Sequence, residues 1–232
     1  MIGTVYRTIK DGFYFRVGKR CFDTAVASTA LVLLAPLFLL TALAIKLTSR
    51  GPVFFRQLRV GQLGTPFRIF KFRTMRTMAG TNGGTGSSLT AAGDPRITTL
   101  GRCLRRTKID ELPQLINVVC GDMSLVGPRP EVPEYVTRYS ERQRQVLRVK
   151  PGITGPAAND FIDEELLLAG QPNKEAFYLN TILPAKLDYD IAYSNRVRFR
   201  GDLRIILETL SKVCNRFVVP PGQPLQSPDS RG

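Results

Sequence analysis

The 25-residue run Cys21–Ile45 carries one charge, Asp23, and from Thr24 to Ile45 it carries none. A helix over those 22 residues would reach about 33 Å, close to one hydrocarbon thickness. The run is long and leads straight into aromatic, basic sequence, unlike a cleaved secretory leader, so it reads as membrane-embedded and retained. Arg16, Lys19 and Arg20 precede it; Lys46, Arg50, Arg56 and Arg59 follow it. These flanks pull both ends toward the cytoplasm. Pro36, near the middle, removes a backbone donor and clashes with the preceding turn. A kinked hairpin entering one leaflet satisfies both flanks, and a straight span that tolerates its proline satisfies one. The residues leave both open.

The rest of the chain must supply a reason for its charge. Of the 232 residues, 33 are Lys or Arg against 19 Asp or Glu. The excess lies wholly in residues 1–108, with 18 cations against 3 anions, while 109–232 hold 15 against 16. Such a field draws polyanions: nucleic acid, an anionic membrane surface or a phosphate-rich small substrate. The absence of histidine excludes Ser-His and Cys-His couples and His-ligated metals. Cys21, Cys103, Cys120 and Cys214 form no C-x-x-C pair, which argues against a zinc ribbon, a redox dithiol and a disulfide-stapled secreted fold.

Gly51–Met75 reads as a β-hairpin turning at Gly61 and Gly64, with Phe67, Ile69, Lys71 and Arg73 on one face. The two cations suit a phosphate clamp or an ordinary solvated strand end. The glycine-rich stretch 79–93 reads as a loop and matches neither a P-loop nor a Rossmann turn. Leu112, Leu115, Ile116 and Val119 have helical spacing, and Pro113 requires that helix to start near Asp110. Glu131–Val149 reads as a charged surface helix, Leu183–Ser194 and Asp202–Asn215 as later helices. The Pro-rich tail 218–232 reads as disordered. The domain reading is a basic, membrane-embedded segment at 1–50, a catalytic domain at 51–217 and that tail.

Unusual residues concentrate in Gly93–Pro130. Asp110-Glu111 follows Arg102, Arg105, Arg106 and Lys108. A carboxylate at a helix N-terminus among four cations is expected to have a depressed pKa, making it a permanently charged nucleophile or metal ligand. Aspartate is also a common helix cap with basic neighbours, and spacing alone does not separate the two roles.

The stretches KRCFD, SRGPVFFRQLRVG, FKFRTM, GDPRIT, LR...IDELPQL...GDMSLVGPRP and KPGITG, running from Lys19 to Gly155, resemble the monotopic phosphoglycosyl transferase family of bacterial sugar transferases. The resemblance implies an α/β membrane-associated fold with a re-entrant helix hairpin broken at Pro36. It implies transfer of a sugar 1-phosphate from a nucleotide sugar to polyprenol phosphate, at the cytoplasmic face of the bacterial inner membrane and among its lipids. Asp110 matches the aspartate that attacks the diphosphate. Glu111 matches the glutamate associated with Mg²⁺, so the implied metal residues are Asp110 and Glu111. Lys71, Arg73, Arg105 and Arg129, in the matched blocks, are the expected phosphate cations. No nucleic acid partner is expected, and an oligomer is compatible with the sequence.

Two departures stand out. Ala35 precedes Pro36 where members often have serine. After KPGITG this chain continues Pro156-Ala157-Ala158-Asn159-Asp160, with a later Glu164-Glu165-Leu166, instead of the commoner Trp and Asn-Gly-Arg turn. Competing readings are a membrane-tethered nucleic-acid binder and a non-catalytic scaffold. The Asp-Glu pair and the 22-residue uncharged run argue against the first, and the intact pair with the GPRP block (Gly127–Pro130) argues against the second.

Overall fold

The computed structural model describes residues 14–76, 89–91 and 93–218. Most of the glycine-rich loop, and the tail beyond 218, lie outside these residues. The fold is mixed: ten α-helices among the described residues, with short 3-10 and π turns and two short two-stranded sheets.

The apolar run forms two helices, α1 (Lys19–Leu33) and α2 (Ala35–Thr48), with axes bent by 61°. Pro36 lies in the first turn of α2, where its missing N–H breaks no helical bond. Among the described residues no single helix is long and apolar enough to cross a membrane, though the bent pair together passes that length and composition test. Lys19, Asp23 and Ala27, spaced i, i+4, i+8, form a face of α1 buried against the rest of the chain. Asp23, the one charge in the run, accepts from Ser124 Oγ at 2.6 Å. Lys19 Nζ donates to Asp202 at 2.5 Å. On α2, Thr41 and Ile45 are buried, and Phe38 meets Phe72 edge-on at 5.2 Å. Val32, Leu33, Leu39, Leu40, Leu43 and Leu47 remain exposed around the elbow and down α2.

The expected hairpin is present as β1 (Phe54–Val60) and β2 (Pro66–Phe72), antiparallel with Phe55 opposite Lys71 and Gln57 opposite Ile69. The period of two sends Phe67 and Ile69 into the core and Lys71 along the same face. The buried Asn117 pins this strand: its Oδ1 accepts from Phe70 N at 3.0 Å, and its Nδ2 donates to Arg68 O at 2.8 Å.

Then follow α3 (Thr99–Arg106), capped by Thr98, and α4 (Gln114–Cys120). Strands β3 (Ser124–Val126) and β4 (Gly152–Thr154) pair in parallel. A Cβ on Gly127 would stand 2.3 Å from Lys150 O, and one on Gly152 would stand 2.1 Å from Gly127 N. Only glycine permits this approach, and it fixes where the GPRP loop leaves β3.

Glu131–Val149 is not one surface helix. It holds α5 (Pro133–Val136), then a 3-10 segment at Gln143–Arg148, with Tyr135, Val136, Tyr139 and Val146 buried. Ser140 and Gln143 supply the break: Gln143 Oε1 accepts from Ser140 N at 2.9 Å and Ser140 Oγ from Gln143 N at 3.3 Å. That reciprocal capping pair restarts the chain mid-segment. Beyond β4 come α6 (Pro156–Asp160), α7 (Glu164–Ala169), α8 (Lys174–Phe177), α9 (Leu183–Ser194) and α10 (Phe199–Val218). Helix α9 coincides with its expected span, and α10 extends past both ends of its own.

Candidate active site

Asp110 and Glu111 lie in a single 3-10 turn, Ile109–Glu111, rather than at the start of α4. Lys108 adopts left-handed backbone (φ 57°) and turns the chain out of α3. That conformation costs a non-glycine residue about 1 kcal/mol. Glu111 N then donates to Lys108 O at 3.1 Å. Helix α4 begins after Pro113, and neither carboxylate caps it. The expectation of a helix opening at Asp110 is therefore corrected. The turn before Pro113 closes on its own, and the proline ring then starts the helix.

The two carboxylates differ sharply in surroundings. Glu111 Oε1 accepts from Lys71 Nζ at 2.7 Å and from Arg129 Nη2 at 2.9 Å. Burial alone would raise its pKa, but the charges of Arg129, Lys71 and Lys108 outweigh burial and hold it well below the usual range. Glu111 in turn raises the Arg129 pKa, whereas burial lowers that of Lys71. Asp110 is 6% exposed, and its Oδ1 has no hydrogen-bond partner. Burial, and then the charge of Glu111, push its pKa up to about 6, against the pull of Lys71, Lys108 and Arg105. The sequence expectation of a depressed Asp110 pKa is overturned. Of the four cations near it in sequence, Arg105 pairs with Glu165 and Arg106 donates to Arg216 O, while desolvation acts on Asp110 in full.

Of the expected phosphate cations, the structure gathers Lys71, Arg129 and Arg105 around the carboxylate pair. Arg105 Nη1 reaches Thr74 Oγ1 at 3.5 Å, its Nη2 pairs with Glu165, and its buried Nε has no partner. Arg73 sits apart: its Nη2 donates to Ser49 O and Oγ, both at 2.8 Å, so it caps the C-terminus of α2.

Sequence reading missed the layer behind Arg129. Glu131 accepts from Tyr178 Oη at 2.6 Å and from Lys186 Nζ at 3.4 Å, and pairs with Arg59 at 3.6 Å. Asp190 faces the backbone N–H groups of Arg129 and Ala157, and burial raises its pKa to about 7. The signal was available in part, since Glu131 directly follows GPRP. Asp190 lies too far along the chain for spacing to reveal it.

The geometry defines a class: three cations, Lys71, Arg105 and Arg129, set around a buried carboxylate pair in which Asp110 keeps an oxygen without a hydrogen-bond partner among the described residues. The chain belongs to the bacterial sugar transferase family, whose model matches residues 14–216. It is 39% identical over 194 residues to the UDP-glucose:undecaprenyl-phosphate glucose-1-phosphate transferase of Escherichia coli (strain K12), covering 80% of this chain and 40% of that protein. It is 44% identical over 210 residues to the UDP-N-acetylgalactosamine-undecaprenyl-phosphate N-acetylgalactosaminephosphotransferase of Aeromonas hydrophila, covering 86% and 44%. Exopolysaccharide production protein PSS of Rhizobium leguminosarum bv. phaseoli is 44% identical over 206 residues, covering 83% and 92%. The chain thus spans about two fifths of the first two relatives and nearly all of the third.

Proposed function

We propose that this chain is a membrane-bound phosphoglycosyl transferase, moving a sugar 1-phosphate from a UDP-sugar to polyprenol phosphate as the first step of a surface polysaccharide. One observation carries the reading. Asp110 is a buried carboxylate with a free oxygen, next to a second carboxylate locked by Lys71 and Arg129. A carboxylate oxygen of Asp110 attacks the phosphorus bearing the sugar. The bond from that phosphorus to the bridging oxygen breaks, and UMP leaves with the electron pair. An oxygen of polyprenol phosphate then attacks the aspartyl-bound phosphorus, which frees the carboxylate and forms the lipid diphosphate sugar. Lys71, Arg105 and Arg129 neutralise and orient the phosphates throughout, the main demand of phosphoryl transfer. Among the described residues no group of three or more His, Cys, Asp or Glu could hold a metal. The unpartnered Asp110 oxygen, with Glu111 beside it, suits Mg²⁺ arriving on a diphosphate, since that ion binds through one or two carboxylates plus substrate oxygens. Bound there, Mg²⁺ would offset phosphate charge.

Two features support a re-entrant hairpin at the cytoplasmic face of the inner membrane. Both arms dock on one body: α1 through Lys19 and Asp23, α2 through Phe38 and Ile45. Arms of 15 and 14 residues are about 22 and 21 Å long. A 61° bend shared equally takes the elbow only about 11 Å deep, within one leaflet of a ~30 Å core.

The purified full chain, given UDP-glucose without acceptor, should release one burst of UMP. Polyprenol phosphate should then sustain turnover. Failure to release UMP from any UDP-sugar would overturn the reading. The burst also has an expected pH profile. Asp110 must be ionised to attack, so the rate should fall as pH drops through about 6, to about one tenth at pH 5. The UDP-sugar diphosphate does not titrate there. A flat burst rate from pH 5 to 8 would remove Asp110 as the titrating nucleophile.

A further inference from the structure

The acidic segment Asp160–Glu165 is tied down at four points. Asp160 pairs with Lys212 at 3.7 Å, Asp163 with Arg216, Glu164 with Lys186 at 2.8 Å, and Glu165 with Arg105. Lys212, Arg216 and Lys186 lie on α9 and α10 and serve the fold. Arg105 differs, because its charge bears on Asp110. It is a cation of the candidate site with one of the chain's own carboxylates on it.

That carboxylate is loosely held. Glu165 lies on the six-residue α7, anchored in the core by Leu168 while Leu166 and Leu167 are exposed. Its side chain is 41% exposed, against 20% for Arg105. The buried Arg105 Nε has no partner, so the guanidinium has an unused donor. A carboxylate and a phosphate oxygen compete for the same planar fork. The segment is also where this chain departs from the commoner family sequence.

We propose that Glu165 is a displaceable carboxylate that occupies Arg105 when no substrate phosphate is present and competes with the phosphates of donor, acceptor and released nucleotide. The proposal rests on the transferase reading above. In a two-step route Arg105 must release one anion before the next arrives, and an internal carboxylate that takes its place eases that release. Glu165 therefore sets phosphate affinity downward and exchange upward.

The test measures binding of inorganic pyrophosphate and UMP to the full chain by calorimetry, beside melting temperature. Glu165→Gln should bind both about two- to fivefold more tightly, in line with a half-exposed ion pair, and should melt as wild type does. The gain should vanish in the Arg105→Ala background, as a direct pair requires. Unchanged or weaker binding by Glu165→Gln would overturn the proposal, as would a gain that persists without Arg105. Absence of anion binding by either protein would overturn it too. A wild type that binds pyrophosphate and shows the Glu165 effect, yet never releases UMP from a UDP-sugar, would count against the transferase reading alone.

Discussion

Asp110→Asn should release no UMP burst and lose turnover on the order of 10³-fold or more, while the protein stays folded. An amide oxygen cannot displace UMP, so the first step stops and no second step follows. Stability should move the other way. The native Asp110 pKa of about 6 exceeds an ordinary aspartate value, so the fold favours the protonated group. That contribution is full below about pH 4 and lost as pH rises through about 6. Above pH 6 the charged carboxylate burdens the native state by an amount on the order of 3 kcal/mol, and asparagine removes the burden. Asp110→Asn should therefore melt at or above the wild-type temperature at pH 8, with a smaller difference at pH 4. An inactive variant with a much lower melting temperature at pH 8 would assign Asp110 to the architecture. Near-normal UMP release would end its assignment as nucleophile.

The parts legible in the sequence are those set by short-range pattern. The β-hairpin followed from two runs rich in Phe, Val and Ile around a glycine turn, and the span read as a helix at Leu183–Ser194 is that of α9. The proline in an uncharged run marked the place of the bend, while the residues alone left a kinked and a straight helix both open. Lys71 was placed on the correct strand face by period two alone. What escaped depends on pairing across the chain. Lys71 and Arg73 are two residues apart on one motif, yet one meets Glu111 and the other caps α2 at Ser49. No local rule separates them. The Asp110 pKa was misjudged for a related reason, since counting nearby cations ignores which of them are already paired and how dry the carboxyl is. The broken helix at Ser140 was readable in principle, because Ser140 and Gln143 have capping-box spacing.

Asp202→Ala should be among the most damaging substitutions outside the carboxylate pair, destabilising the protein by about 3–5 kcal/mol. Asp202 is 1% exposed and accepts from Lys19 Nζ at 2.5 Å, Tyr14 Oη at 2.6 Å and Tyr193 Oη at 2.8 Å. Without it the buried Lys19 ammonium keeps, among the described residues, Asp23 at 3.9 Å, and two tyrosine hydroxyls lose their carboxylate. Asp202→Asn, which retains an acceptor, should lose less. Lys19 opens α1, so the damage falls where the bent helix pair joins the rest of the chain, while Arg73 on Ser49 still holds the far end of α2. The same reasoning limits what Pro36 does. Straightening a 61° bend would swing the end of one ~21 Å arm by about 21 Å and drag Lys19 and Asp23 from their buried partners. Packing as well as the proline therefore maintains the elbow. Thermal unfolding in detergent checks the stability order wild type above Asp202→Asn above Asp202→Ala. A melting temperature for Asp202→Ala within a degree of wild type would show that the docking of α1 does not depend on this buried carboxylate.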